Sequence, residues 1–234
     1  TLLFTEKDLF VTVGRDGLVA NTAKYVDGKA IIAINPDPES IDGILLPFSV
    51  EQCSGAVKKV IRGEAKFREI TLARVELNDG QTLLAFNDLF IGVKSHCSAR
   101  YILKWRSQKE SQSSSGLIVS TGAGSTAWLS SIFNMTSGIA RFLGRESSGN
   151  YCYKLNWESP KLVFVVREPF ASQQSSAEIV AGEIEAEEEL VLESRIPRNG
   201  LIFSDGIEAD FIEFNAGATA RISKAKRSSR LVVG

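Results

Sequence analysis

The sequence predicts an α/β unit over residues 1–68 followed by a β-rich, sandwich-like unit over residues 69–234. Three observations predict this. An early strand–loop–helix–strand order implies parallel pairing, because parallel strands need a crossover. From about residue 68 the chain breaks into many short strand-like runs separated by turn residues, the pattern of an all-β unit. The chain has 234 residues, 44% of them hydrophobic, enough for a sizeable core.

Each element follows from its residues. DLFVTV (8–13) is apolar and β-branched and stops at Gly14-Arg15-Asp16-Gly17. LVANTAKYV has apolar residues at helical spacing, and AIIAIN (30–35) is a second strand closed by the turn-rich PDPESIDG. VEQCSGAVKKVIRGE (50–64) reads as a helix with Val50, Cys53, Val57, Val60 and Ile61 on one stripe. EITLARVELNDGQTLLAFNDLFIG reads as two strands joined by Asn78-Asp79-Gly80, a hairpin signal. YILKWRSQ alternates, KESQSSSG reads as a polar turn or loop, and GLIVST is a further strand. Residues 132–143 read as a helix. KLVFVVRE, EIEAEEELVLESR, GLIFSDG and ATARISK are later strands. The acidic run within GEIEAEEELVLES reads as the solvated face of an edge strand.

Composition bounds the function. The net charge is −1, so no bulk basic field recruits nucleic acid or an anionic membrane, and small ligands are expected. No apolar run approaches the ~20 residues of a spanning helix, and no signal segment opens the chain. The opening TLLFTEKDLFVTVG already reads as part of a strand, so upstream material is expected. Cys53, Cys97 and Cys152 form no CxxC pair and His96 is the one histidine, which argues against a disulfide framework or a structural zinc site. A reducing, cytoplasmic setting fits, and Asn134-Met135-Thr136 reads as a chance glycosylation match.

Three stretches carry candidate chemistry. Gly14-Arg15-Asp16-Gly17 lies between a strand and a helix, where glycines admit close backbone approach and a helix N-terminus favours phosphate. Asp16 reads either as a helix cap or as a carboxylate that takes a hydroxyl proton or holds a magnesium–phosphate complex. Asn87-Asp88 reads as a turn pair or as a grip on a ribose diol or an adenine edge. Gly122-x-Gly124-x-x-Ala127, in VSTGAGSTAWLSS, is a degenerate dinucleotide fingerprint, but its confirming acid would be Glu146, in a polar loop. No GxSxG elbow occurs and nothing pairs with His96 as a base would.

The order of these stretches, closed by Phe203-Ser204-Asp205-Gly206, resembles the NAD kinase family from about residue 8 to about residue 224. Its GGDG, Asn-Glu, TPTGSTAY-type loop and late Asp-Gly find counterparts here in turn. Ser-Ser-Gly before the strand, TG-x-GS-x-AW in the loop and Asn35-Pro36-Asp37-Pro38-Glu39 resemble the mitochondrial-type branch most. The resemblance implies a Rossmann-like α/β domain, lacking most of the strand–helix section before GGDG, and a β-rich dinucleotide domain. It implies transfer of the γ-phosphoryl of ATP, or of polyphosphate, to the 2′-hydroxyl of the adenosine ribose of NAD, with Mg2+ accompanying ATP. NAD is then a substrate. Asp16 matches the general base, Gly14, Arg15 and Gly17 the phosphate loop, Asn87 and Asp88 the NAD-contacting pair, and Ser115, Thr126, Ala127, Trp128 and Ser131 the NAD pocket. No protein-held metal site is implied, and a homodimer or higher homo-oligomer is. Arg15 stands where the family has a second glycine, Leu18 where it has Thr or Ser, Asp88 where it has Glu, and Ser115 where many members have Asp. The alternatives are a related kinase acting on a sugar or lipid hydroxyl, and a catalytically silent NAD-binding protein.

Overall fold

A computed structural model describes residue 5, residues 8–145, residue 151 and residues 153–234. Cys152 and Glu146, named above, lie outside the described residues. The first part carries three parallel strands and two helices: β1 (Phe10–Val13), α1 (Asp16–Ala23), β2 (Ala30–Asn35), β3 (Phe48–Ser49) and α2 (Cys53–Ile61). β2 pairs in parallel with β1, as the strand–helix–strand order predicts, and also with the two-residue β3, which the sequence reading does not mark. The alternation of AIIAIN sets the layers. Ile31 and Ala33 pack with Val19, Ala20 and Ala23 of α1. Ile32 and Ile34 pack on the opposite face with Cys53, Ala56, Val57 and Val60 of α2. Val50 and Ile61, placed on the apolar stripe by spacing, are exposed instead, at 53% and 76%. Val50 precedes the helix and Ile61 ends it, so neither reaches the sheet.

The second part is a two-sheet β structure with one long helix. Its elements are β4 (Phe67–Leu77), β5 (Thr82–Ala85), β6 (Asp88–Val93), β7 (Ala99–Trp105), β8 (Gln108–Ser114), β9 (Leu117–Ser120), α3 (Trp128–Phe142), β10 (Leu162–Val166), β11 (Ala181–Ile184), β12 (Leu190–Ser194), β13 (Gly200–Ser204), β14 (Ile207–Glu213) and β15 (Thr219–Val232). A six-stranded sheet runs β11-β10-β9-β6-β13-β14. A nine-stranded sheet runs β1-β2-β15-β12-β7-β8, with β3 on β2, β4 on β15 and β5 on β4. The main core lies between the two sheets, with Tyr101, Leu103 and Leu192 of one meeting Leu89, Ile91, Phe164 and Ile202 of the other. β15 links the two parts. It lies antiparallel to β4 along its length, and near its end Arg230 and Leu231 pair in parallel with Ala30 and Ile31 of β2.

Two readings of the sequence need correction. KESQSSSG is not a loop: Gln108–Ser114 is strand β8, antiparallel to β7. Its polar inward residues each find a partner. Glu110 accepts N–H bonds from Glu178 and Ile179 at 3.0 and 2.8 Å, Gln112 donates to the Ile179 carbonyl at 2.9 Å, and Ser114 meets the Tyr101 hydroxyl at 2.8 Å. The run after the Asn78-Asp79-Gly80 hairpin is not one strand but two, β5 and β6, which leave Phe86-Asn87 as a corner between the sheets. The acidic run turns from β11, an edge strand, to β12, and its carboxylates pair with surface cations such as Lys161, Arg106 and Lys104. Among the described residues no group of three His, Cys, Asp or Glu side chains is placed to hold a metal ion. No described helix is long and apolar enough to cross a membrane.

Candidate functional site

The site is built where α1, the Phe86-Asn87 corner and the loop after β9 meet. β1 ends at Gly14, whose N–H bonds to the Ile34 carbonyl at 3.3 Å and whose φ of +157° favours glycine. Arg15 takes the N-cap position with extended backbone (φ −87°, ψ 165°) and gives no side-chain cap. Asp16 is therefore the first helical residue rather than the cap. Its Oδ1 accepts the Leu45 N–H at 2.6 Å, which pins the loop over residues 43–46, and its Oδ2 has no hydrogen-bond partner among the described residues. A Cβ on Gly17 would meet nothing within 4 Å, so this face is open to a ligand.

The STGAGS segment is a packing device before it is anything else. β9 runs into a 3-10 turn, Ala123–Thr126, and then α3. A Cβ on Gly124 would lie 2.2 Å from the Asn87 carbonyl oxygen, and one on Gly122 would lie 1.9 Å from that of Asn156. These two glycines admit protein backbone, not a pyrophosphate, and the formal dinucleotide fingerprint has this physical meaning here. Thr121 N–H bonds to the Asn87 carbonyl at 2.9 Å, and the Thr121 hydroxyl to that of Phe86. Ala123 packs in one cluster with Val19, Ala20 and Ala23 of α1, Leu45, Leu46 and Phe86. The Asp16 helix and the Asn87 corner are thus held against the same loop.

Asp88 is buried at the head of β6, opposite Ser120 of β9. Its carboxyl faces the Ser120 hydroxyl and the Trp128 backbone N–H, and its Oδ1 has no hydrogen-bond partner among the described residues. Burial pushes its pKa up to about 7, with the Asp205 carboxylate adding to the rise and the Ser120 and Trp128 bonds opposing it. Asp205 lies in the turn after β13 with φ +54°. Its carboxylate accepts the N–H groups of Phe86 (3.1 Å), Asn87 (2.6 Å) and Asp88 (3.3 Å). Lys24, the residue closing α1, donates to Ser204 Oγ at 2.8 Å and lies 3.6 Å from Asp205 Oδ2.

Beside this corner a cleft of about 510 Å³ opens on the six-stranded sheet. Its floor is aromatic. Trp128 stacks on Phe90 (centroids 5.6 Å, planes 12° apart), and Phe203 lies 5.0 Å from Phe90. The Arg167 guanidinium sits 5.4 Å over Trp128 and 5.8 Å over Phe90. Ser115 lines the same cleft, with its N–H bonded to the Arg167 carbonyl at 3.0 Å. Flat rings and a phosphate suit such a surface, through stacking and a charge-assisted bond.

Of the residues singled out from sequence, Asn87, Asp88 and the Thr121–Trp128 segment come together at one corner, and Ser115 joins Trp128 in the cleft. Thr126 and Ala127 are exposed on the turn, and Ser131 is exposed on α3 without lining the cleft. Asp16 starts α1 and its carboxylate meets Leu45, whereas the end of α1 that reaches the corner carries Lys24. His96 and Cys97 line the outer cleft. Lys24, Phe90 and Arg167 were not singled out. No motif marks them, and each acts through a neighbour distant in sequence.

No family model matches the chain. It is 30% identical over 129 residues to an NAD kinase of Chlorobium phaeobacteroides (strain BS1), covering 53% of this chain and 44% of that one. It is 31% identical over 131 residues to an NAD kinase of Chlorobium luteolum (strain DSM 273 / BCRC 81028 / 2530), covering 54% of this chain and 45% of that one. The chain thus spans just under half the length of these curated relatives. In fold it is similar to yeast NADH kinase complexed with NADH (TM-score 0.71, 16% identity, 97% of this chain and 62% of that one). It is also similar to an NAD kinase from Archaeoglobus fulgidus in complex with ATP (TM-score 0.67, 16% identity, 96% of this chain and 77% of that one).

Proposed function

We propose that this relative of the NAD kinases is itself an NAD kinase, transferring the γ-phosphoryl of ATP, or of polyphosphate, to the adenosine-ribose 2′-hydroxyl of NAD. The observation that carries the reading is the shared packing of the Asp16 helix, the Asn87-Asp88 corner and the Thr121–Trp128 segment around Ala123 and Phe86. It packs the helix that Asp16 starts against a buried corner whose Asp88 Oδ1 has no hydrogen-bond partner among the described residues. In the reading, the open α1 N-terminus and the exposed Arg15 take the donor phosphates. Asn87 and Asp88 hold the ribose, and Trp128 with Ser115 walls the pocket. The 2′-oxygen attacks the γ-phosphorus, the bond to ADP breaks, and the hydroxyl proton passes to Asp16 Oδ2. Thr126, Ala127 and Ser131, exposed on the turn and helix either side of Trp128, would be outer contacts of the dinucleotide.

Mg2+ fits as a companion of the nucleotide. It would be held by the donor phosphates and its own waters, as magnesium usually is at nucleotides, while Asp16 Oδ2 stays free to take the hydroxyl proton. When bound it neutralises charge developing on the transferred group. The same reading includes a cytoplasmic setting, a homodimer or higher homo-oligomer, kinship with the mitochondrial-type branch, and a domain division near residue 68 with the end of β15 returning to the first domain.

Leu18 favours a second reading, a silent NAD-binding protein. Its side chain is 45% exposed, and it supplies no hydroxyl at the phosphate face. A coupled NADP-formation assay with ATP, GTP and polyphosphate separates the two. The kinase reading expects turnover, with Asp16→Asn binding NAD but losing about 10²-fold or more in rate. NAD binding without turnover on any donor would leave the silent protein.

A further inference from the structure

We propose that Lys24 is a positioning residue for the acceptor site: it holds Asp205, and through it the Asn87-Asp88 backbone, against the helix that carries Asp16. This rests on the kinase reading of that corner. Lys24 is 4% exposed, unusual for a residue whose charged end ordinarily reaches water. Its ammonium meets Ser204 Oγ at 2.8 Å and Asp205 Oδ2 at 3.6 Å and lies 5.8 Å over the Tyr25 ring, and the Lys24 and Asp205 side chains are 3% and 2% exposed. Asp205 turns this pairing into backbone geometry. Its carboxylate gathers three successive N–H groups, from Phe86 to Asp88, and its own N–H bonds to the Asp88 carbonyl at 2.9 Å. Lys24 is anchored in turn, since Arg227 Nη2 donates to its carbonyl at 2.9 Å.

A chain of direct contacts thus runs from the end of α1 to the Asn87-Asp88 backbone. The charge matters as well as the geometry. Asp205 is faced by Lys24 and the Tyr25 phenol from the end of α1 and by Asp88 from β6. Burial pushes its pKa up, while the three N–H groups and Lys24 hold it down. Without Lys24 the carboxylate is left buried with its like-charged neighbour and protonates more readily. A neutral Asp205 accepts the three N–H groups more weakly, and the corner loosens.

The test is Lys24→Met, Asp205→Asn and the double variant. NAD and ATP affinities are measured by calorimetry from pH 6 to 8.5, with thermal melting alongside. Lys24→Met is expected to weaken NAD binding about 10- to 100-fold, as breaking a buried pair does, and ATP binding by less than about 3-fold. The pH below which NAD binding fails is expected to rise by on the order of one unit. The double variant is expected to recover part of the affinity, because the stranded carboxylate is gone. A purely structural lysine would lower the melting temperature and both affinities together, and that result overturns the proposal. NAD binding by Lys24→Met within twofold of wild type overturns it too, leaving the kinase reading intact. Wild type that binds no NAD removes the kinase reading and this proposal with it.

Discussion

Replacing Asp88 by Asn should stabilise this protein at pH 8, and the gain should shrink as the pH falls. Asp88 is 6% exposed, its Oδ1 is unpartnered, and the Asp205 carboxylate adds like charge. Folding raises its pKa from an ordinary 3.8 to about 7. That displacement corresponds to a preference for the neutral form of about 4 kcal/mol. The sign follows from proton counts. Between the two values the folded state holds a proton the unfolded state has lost, so stability falls as pH rises through this window. Below about pH 3.8 the penalty is absent, and above about 7 it is complete. Asn keeps the shape and an acceptor for Ser120 and Trp128 without the charge. Relaxation and water entry reduce the full displacement, so a gain of about 1–3 kcal/mol at pH 8 is expected. Urea titrations of both proteins at half-unit steps from pH 5 to 8.5 would show it as a widening gap between midpoints. Parallel curves, or an Asn variant less stable at pH 8, would refute the burial argument. If the unpartnered oxygen is reserved for ribose, the same variant should also bind NAD less tightly, trading affinity for stability.

Three further substitutions probe the corner, the start of α1 and the neighbouring cleft. Gly124→Ala places a methyl 2.2 Å from the Asn87 carbonyl and should cost about 1–3 kcal/mol in thermal melting. Gly17→Ala, with nothing within 4 Å of the new atom, should match wild type or gain up to about 1 kcal/mol from helix propensity, and equal losses at both positions would contradict the packing described. Trp128→Ala removes the ring stacked on Phe90 at 5.6 Å, and NAD affinity by calorimetry should fall about 5- to 20-fold, as losing one aromatic platform does, whereas unchanged affinity would place the dinucleotide outside the cleft.

How much of this could be read from the sequence depends on the range of the interactions involved. The parallel β1–β2 pair was legible because AIIAIN is a short β-branched run bounded by turn residues and a crossover helix precedes it. Strand β8 was not, because KESQSSSG has the composition of a loop. It is a strand because Glu110 and Gln112 find partners at residues 178 and 179, almost seventy positions on. The site divides along the same line. Asp16, Asn87-Asp88 and Trp128 stand in short local patterns that a reader can match. The glycines of STGAGS were visible, but their purpose was inverted: they look like room for a ligand and are filled by the carbonyls of Asn87 and Asn156. Lys24 lies in no pattern at all. Within ANTAKYVD it looks like an ordinary solvated lysine on a surface helix, and only a partner 180 positions away, Ser204, draws it inward. Motifs therefore marked the groups proposed to face the substrates, while the groups packed behind them were written in distant pairings. A search for such supports in related chains should begin from buried charges behind the motif, since a lone lysine stays buried only where something fixed receives it.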